Sequence, residues 1–323
     1  MLVRHKLTGG ITFTGSHEVG LGIVAAQSAM RRTVPVIAEM GGKNAAIVTR
    51  NADLDCAATG IVRSAFGMQG QKCSALSRLY VDDSVADALI ENLTSRISAL
   101  TIGDPTAANI WLGPVATAKA YDRFAVYSRA LESGGSRILM GGKQLRTGEL
   151  AHGFYCAPTL TESPGAHPLW NEEMFCPILM LRRVGDREEA MALANDSAFG
   201  LTAGFYGAAE EVAWFFEHIE AGVAYANRAQ GATTGAWPGT KLLSGGRARA
   251  QPARQSRLSI ICRSTCANNR RRTWCPDGLE TPFSARYSRA LHRRRPLLEN
   301  RQTPWIPREW FAPPPTLNTR AGR

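Results

Sequence analysis

The stretch Phe66-Gly67-Met68-Gln69-Gly70-Gln71-Lys72-Cys73-Ser74 holds the residue types that a covalent catalyst needs. A thiol on a glycine-bearing turn can be partly exposed, and a neighbouring ammonium such as Lys72 favours its thiolate, the nucleophilic form. A Cys in this setting can equally be a small core residue, because free Cys is among the most buried residue types. Glu39, in Ala38-Glu39-Met40-Gly41-Gly42-Lys43, ends an apolar run and precedes two glycines that allow a close backbone approach. Such a carboxylate can act as a general base in a cleft, or simply sit solvated at a strand end. A third segment, FTGSHEVG at 13–20, could aim backbone N–H groups and Ser16 at a phosphate on a helix N-terminus, or form an ordinary capped turn. It lacks the GxGxxG spacing of the dinucleotide fingerprint, so alone it is a weak signal.

These groups need elements to position them. Residues 11–14 read as a strand, and 18–31 as a helix for which Ser16 is placed as cap. An apolar run at 34–38 leads to Glu39, after which 44–48 is a strand and 54–66 a helix. Further strands are predicted at 77–81, 137–140, 177–182 and 203–206, and helices at 85–100, 118–133, 187–195 and 210–219. This alternation predicts an α/β fold with a mostly parallel sheet. No internal repeat is present.

The chain has 323 residues, 44% of them apolar, enough for two domains with a sizeable core. Its net charge of +11 suggests a nucleic-acid binder until the charge is divided along the chain. Residues 240–323 hold 17 Arg and one Lys against four acidic residues, while 1–239 hold 20 basic and 23 acidic residues. The basic character therefore belongs to the C-terminal segment. No apolar run approaches the roughly 18 residues of a membrane helix, and the N-terminus lacks the apolar block of a secretory signal. A cytoplasmic protein is the default expectation. The seven Cys show no CxxC pair and no regular spacing, which argues against a disulfide framework and a zinc site.

Taken together, the segments resemble the aldehyde dehydrogenase superfamily over residues 1 to about 239. ITFTGS at 11–16, EMGGKN at 39–44, GQKC at 70–73, GPV at 113–115, PTL at 158–160, EEMFCP at 172–177, ANDSAFGLTA at 194–203 and NR at 227–228 follow in the family's order. The resemblance implies that Cys73 is the nucleophile and Glu39 the base that activates the hydrolytic water. It implies an NAD or NADP cofactor, with Glu173 on the nicotinamide ribose, Phe175 beside the ring, and Ser16 and Gly15 at the pyrophosphate. Two positions depart from the pattern: Cys176 stands where Gly is usual, which would crowd the cofactor-facing loop, and Phe199 where Tyr is common. Within the superfamily, GQKCSA and NRAQGATTGAWPG look like the 1-pyrroline-5-carboxylate dehydrogenase branch, which oxidises glutamate γ-semialdehyde to glutamate in proline catabolism. There Ser74, Gly235 and Ala236 would hold the substrate carboxylate, as a small hydroxyl and free backbone N–H groups suit an anion.

The expected organisation is a remnant of a Rossmann-like NAD(P)-binding domain at 1–38, a catalytic domain at 39–239, and an Arg-rich tail at 240–323 outside the family pattern. The tail has the composition of a disordered segment. Read one base out of frame, codons for residues 258–270 permit LYYLPLYLREQS, which resembles the family's C-terminal strand. The expectation is thus a truncated, frame-shifted chain with little activity and impaired oligomerisation, whereas intact relatives are homo-oligomers that act on a small aldehyde substrate. The alternatives are a catalytically silent homologue, or a nucleic-acid binder acting through the basic tail, for which the tail's Trp residues are irregularly placed.

Overall fold

In the computed structural model, residues 2–30 and 34–230 are described. Two sheets organise them. The first has two parallel strands, β1 (Ile11–Thr14) and β2 (Val36–Glu39), joined through helix α1 (His17–Ala29). The second has seven strands in the order β5-β6-β7-β4-β3-β8-β9. Its centre is β3 (Asn44–Val48), flanked by β4 (Leu76–Asp82) and β8 (Thr202–Tyr206). Beyond β4 lie β7 (Ile178–Val184), β6 (Thr159–Glu162) and β5 (Arg137–Met140); beyond β8 lies β9 (Val223–Ala226). Of the strand pairs in this sheet among the described residues, only β5–β6 is antiparallel.

The strand and helix boundaries follow from local chemistry. Asp53 caps α2 (Leu54–Phe66), Asp82 caps α3 (Asp83–Ser98), Thr117 caps α4 (Ala118–Ser133) and Asp186 caps α5 (Arg187–Asn195), each side chain accepting a first-turn N–H. In α6 (Ala209–His218), Glu211 reaches back to accept from the Ala208 N–H at 2.8 Å. The central strands β3, β4 and β8 are buried on both faces, as a covered parallel sheet requires. Alternation along β3 sends Ala45 and Ile47 into a cluster with Phe124, Phe205 and Phe215, under α4, α5 and α6. Ala46 and Val48 enter the opposite cluster with Ile61, Phe66, Leu89 and Leu93, under α2 and α3. The result is a three-layer α/β/α unit, the predicted class. Strands β6 and β9 were not read from the sequence. Both are four-residue runs. Among the described residues, no helix is long and apolar enough to cross a membrane.

Candidate active site

The sequence-predicted site residues among the described ones lie at strand ends or in the segments next to them, and the strands belong to two sheets. Gly15 follows β1, and Glu39 is the last residue of β2, paired with Thr14. Gly41 and Gly42 precede β3, Cys73 precedes β4, and Glu173 and Phe175 precede β7. The carboxyl edge of the small sheet thus meets the amino edge of the large one. The Gly15 N–H donates to the Glu39 carbonyl at 3.0 Å, which ties the turn at 13–20 to the EMGGK segment. Ser16, exposed, caps α1 through the Val19 N–H at 3.4 Å.

The turn that carries Cys73 is conformationally demanding. After α2, Met68, Gln69 and Gly70 are all left-handed, with φ of 52°, 57° and 68°. Such angles cost a side-chain-bearing residue roughly 1–2 kcal/mol each. Gly70 must be glycine on a second count, because a Cβ would lie 2.5 Å from the Cys176 carbonyl oxygen. The Gln71 side chain accepts from the Ala116 N–H at 2.9 Å, and the Ala75 N–H closes a turn onto the Lys72 carbonyl at 3.0 Å. Cys73 emerges half-buried, with a free thiol. Burial lowers the pKa of the half-buried Lys72, and Cys73 acts in the opposite direction, which places the ammonium and thiol within electrostatic range. Cys156 and Cys176 are free but buried, and burial pushes both thiols up, Cys156 to about 12. An unexposed thiol that stays protonated is a poor nucleophile.

Glu39 is half-buried, and its Oε2 has no hydrogen-bond partner among the described residues. Glu173 folds against the two glycines: its Oε1 accepts from the Gly42 N–H at 3.0 Å, and a Cβ on Gly41 would collide with its carboxylate. Burial raises the Glu173 pKa, opposed by the Gly42 N–H and by the charges of Lys43 and His17. Phe175 adopts φ 54° and stands exposed beside this carboxylate. A narrow cleft runs between Gly42, Gly70, Lys72, Glu173 and Phe175.

Three placements refine the sequence reading. Ser74 is buried, at 4% exposure, directly behind Cys73. Cys176 packs in the cluster with Met174, Ile178 and Trp170, so its side chain joins the core where crowding of the cofactor-facing loop was expected. Phe199 stacks obliquely on His17, with ring centroids 5.8 Å apart. Gly235, Ala236 and the basic tail lie outside the described residues.

Two residues escaped the sequence reading. Lys43 is 1% exposed, and its Nζ has no hydrogen-bond partner among the described residues. Burial and the Arg78 charge lower its pKa to about 7, against the opposing pull of Cys176, Glu172 and Glu173. Asn44 is 3% exposed and bonded to the turn that carries Cys73. Both sit inside the EMGGKN motif, where a Lys and an Asn read as surface residues because nothing local shows that they are buried.

Comparison with known proteins agrees with this arrangement. The sequence profile described as "Aldehyde dehydrogenase family" matches residues 1–256. Alpha-ketoglutaric semialdehyde dehydrogenase of Bacillus subtilis is 34% identical over 230 residues, 70% of this chain and 46% of that protein. The 1-pyrroline-5-carboxylate dehydrogenase 2 of the same organism is 38% identical over 207 residues, 62% of this chain and 39% of that protein. The crystal structure of 1-pyrroline-5-carboxylate dehydrogenase from Thermus with bound NAD superposes with a TM-score of 0.69 at 38% identity, covering 76% of this chain and 47% of the other. The chain spans about half the length of these relatives or less. This chain, matched by that profile over residues 1–256, belongs to the aldehyde dehydrogenase family.

Proposed function

We propose that the chain carries the covalent chemistry of aldehyde oxidation, with Cys73 as nucleophile and Glu39 as base. The observation that supports this most is the 39–44 segment, which ends in the Glu39 carboxylate on one side and packs on Glu173 and the Cys73 carbonyl on the other. The Cys73 thiolate adds to the aldehyde carbon, giving a thiohemiacetal on sulfur, and loss of hydride leaves a thioester. Glu39 takes a proton from water, the hydroxide adds to the thioester carbon, and the carboxylic acid departs as the thiolate returns. The Cys73 backbone N–H contributes to holding the oxyanion.

NAD, the cofactor in the similar Thermus structure, would supply the hydride acceptor. The residues present fit its nicotinamide end: Gly41 and Gly42 leave room for the Glu173 carboxylate, and Phe175 is exposed beside it. Glu173 would hold the ribose hydroxyls, Phe175 would flank the ring, and Gly15 and Ser16 would meet the pyrophosphate. We further propose a substrate that carries a carboxylate, glutamate γ-semialdehyde being the first choice, with Ser74, Gly235 and Ala236 as the residues that would hold that carboxylate. The relatives named for 1-pyrroline-5-carboxylate and α-ketoglutaric semialdehyde support that choice. In organisation, residues 1–38 would be part of the cofactor domain and 39–239 the catalytic domain.

The two half-reactions can be tested apart. Hydrolysis of p-nitrophenyl acetate needs only the nucleophile and base, whereas NADH formation from glutamate γ-semialdehyde needs the cofactor site as well. Cys73→Ala should abolish both, and Glu39→Gln should let the acyl group accumulate on Cys73, visible by mass spectrometry. Ester hydrolysis that survives Cys73→Ala would refute the assignment of the nucleophile. Equal rates with glutamate γ-semialdehyde and butanal would refute the carboxylate-bearing substrate.

A further inference from the structure

We infer that Asn44 is a positioning residue for the nucleophile, an amide clamp that fixes the peptide on the carbonyl side of Cys73. The inference rests on the reading of Cys73 as nucleophile. Asn44 opens β3 and is 3% exposed. Its Nδ2 donates to the Cys73 carbonyl at 2.8 Å and to the Ala75 carbonyl at 2.7 Å, and its Oδ1 accepts from the Thr202 N–H at 3.0 Å. Two acceptors on one side and one donor on the other allow a single orientation of the amide. Both N–H hydrogens are used on the two ends of the turn that holds the thiol.

The surroundings are built around this clamp. The β3–β4 register shifts between Asn44 and Ala45, so that Asn44 faces Leu76 while Ala45 faces Arg78. That irregularity turns the Asn44 side chain toward the loop before β4, away from the regular ladder. Gly42 leaves the space the Cys73 carbonyl occupies: a Cβ there would strike that oxygen and come within 2.9 Å of Asn44 Oδ1. Arg78, buried in β4, donates through Nε to the Lys43 carbonyl at 2.8 Å and holds the start of β3 from the other side. One side chain thereby couples the starts of β3 and β8 to the nucleophile's turn. A carbonyl pinned in this direction fixes the Cys73–Ser74 peptide and, through the short turn, the direction from which sulfur attacks. Misplacing a reacting group by about 1 Å can cost on the order of 100-fold in rate.

Asn44→Asp separates the clamp from the strand ends, because a carboxylate can still accept from Thr202 while losing both donations to the turn. Asn44→Ser, with a hydroxyl too short to span both carbonyls, is the second variant should the first not fold. Two lost hydrogen bonds should increase local opening roughly tenfold or more. The readouts on the full chain are amide hydrogen exchange of the Cys73–Leu76 segment, the pH profile of iodoacetamide labelling at Cys73 by peptide mapping, and the melting temperature. The expected result is exchange at least about tenfold faster in that segment with β7 unchanged, and for Asn44→Asp a Cys73 labelling profile displaced to higher pH. Ester hydrolysis should lose kcat with KM held. A folded variant whose segment exchange and Cys73 labelling match the parent would overturn the clamp, even if its melting temperature falls. Failure of the nucleophile reading would look different: in the parent chain itself, Cys156 or Cys176 would be labelled faster than Cys73.

Discussion

Replacing Lys43 by Met should stabilise the protein, by an amount that depends on pH. The ammonium is fully buried, and burial together with Arg78 lowers its pKa from the ordinary 10.5 to about 7. At 1.36 kcal/mol per tenfold change, the folded state penalises the charged form by about 5 kcal/mol. Because the folded pKa lies below the unfolded one, the unfolded chain binds the extra proton between about pH 7 and 10.5, and stability rises with pH across that window. Below about pH 7 the penalty is complete and constant. The cost is about 4 kcal/mol at pH 7 and about 2 kcal/mol at pH 9 by the same linkage. Met keeps the length of the stem without the charge. Urea unfolding of both proteins at pH 6, 7 and 9 measures the difference. The variant should gain most at pH 6 and least at pH 9, with buried thiols such as Cys156 cancelling because both proteins share them. A difference independent of pH, or a variant less stable than the parent at pH 7, would refute the reasoning and would mean that Nζ has a partner that repays its burial.

Gly42→Ala should cost about 1–3 kcal/mol and slow ester hydrolysis, since the new Cβ meets the Cys73 carbonyl and the Asn44 amide; unchanged melting and rate would contradict that packing. Arg78→Lys should cost about 2–4 kcal/mol, because a point ammonium cannot serve the carbonyls of Lys43, Leu193 and Ala194 that the guanidinium reaches together. Chemical denaturation tests it. Glu173→Gln should be neutral or slightly stabilising at pH 7, because burial raises this carboxyl's pKa and the stability it lends at acid pH is lost as pH rises through the folded value. The same variant should weaken NAD binding in fluorescence titration; unchanged affinity would remove Glu173 from the cofactor site.

The sequence by itself determined the α/β class, the boundaries of most elements, and the motifs that mark the family. Those features are local. Asp53, Thr117 and Asp186 cap the helices that follow them, and the buried run NAAIV at 44–48 forms a strand wherever it packs. The motif order sufficed to point to the aldehyde dehydrogenase family, whose profile matches residues 1–256. Sequence could not show where the proposed site residues lie in the fold, because Glu39 ends a strand in one sheet while Cys73 and Glu173 precede strands in another. Only the tertiary structure brings the carboxyl edge of the first sheet onto the amino edge of the second. It also decided the fate of the polar residues in between. Lys43 and Asn44 are adjacent in sequence and both buried, yet one amide makes three hydrogen bonds to strand ends and the neighbouring ammonium makes none among the described residues. Burial and partnership depend on what the rest of the chain places around a side chain, and no local pattern of residue types encodes that.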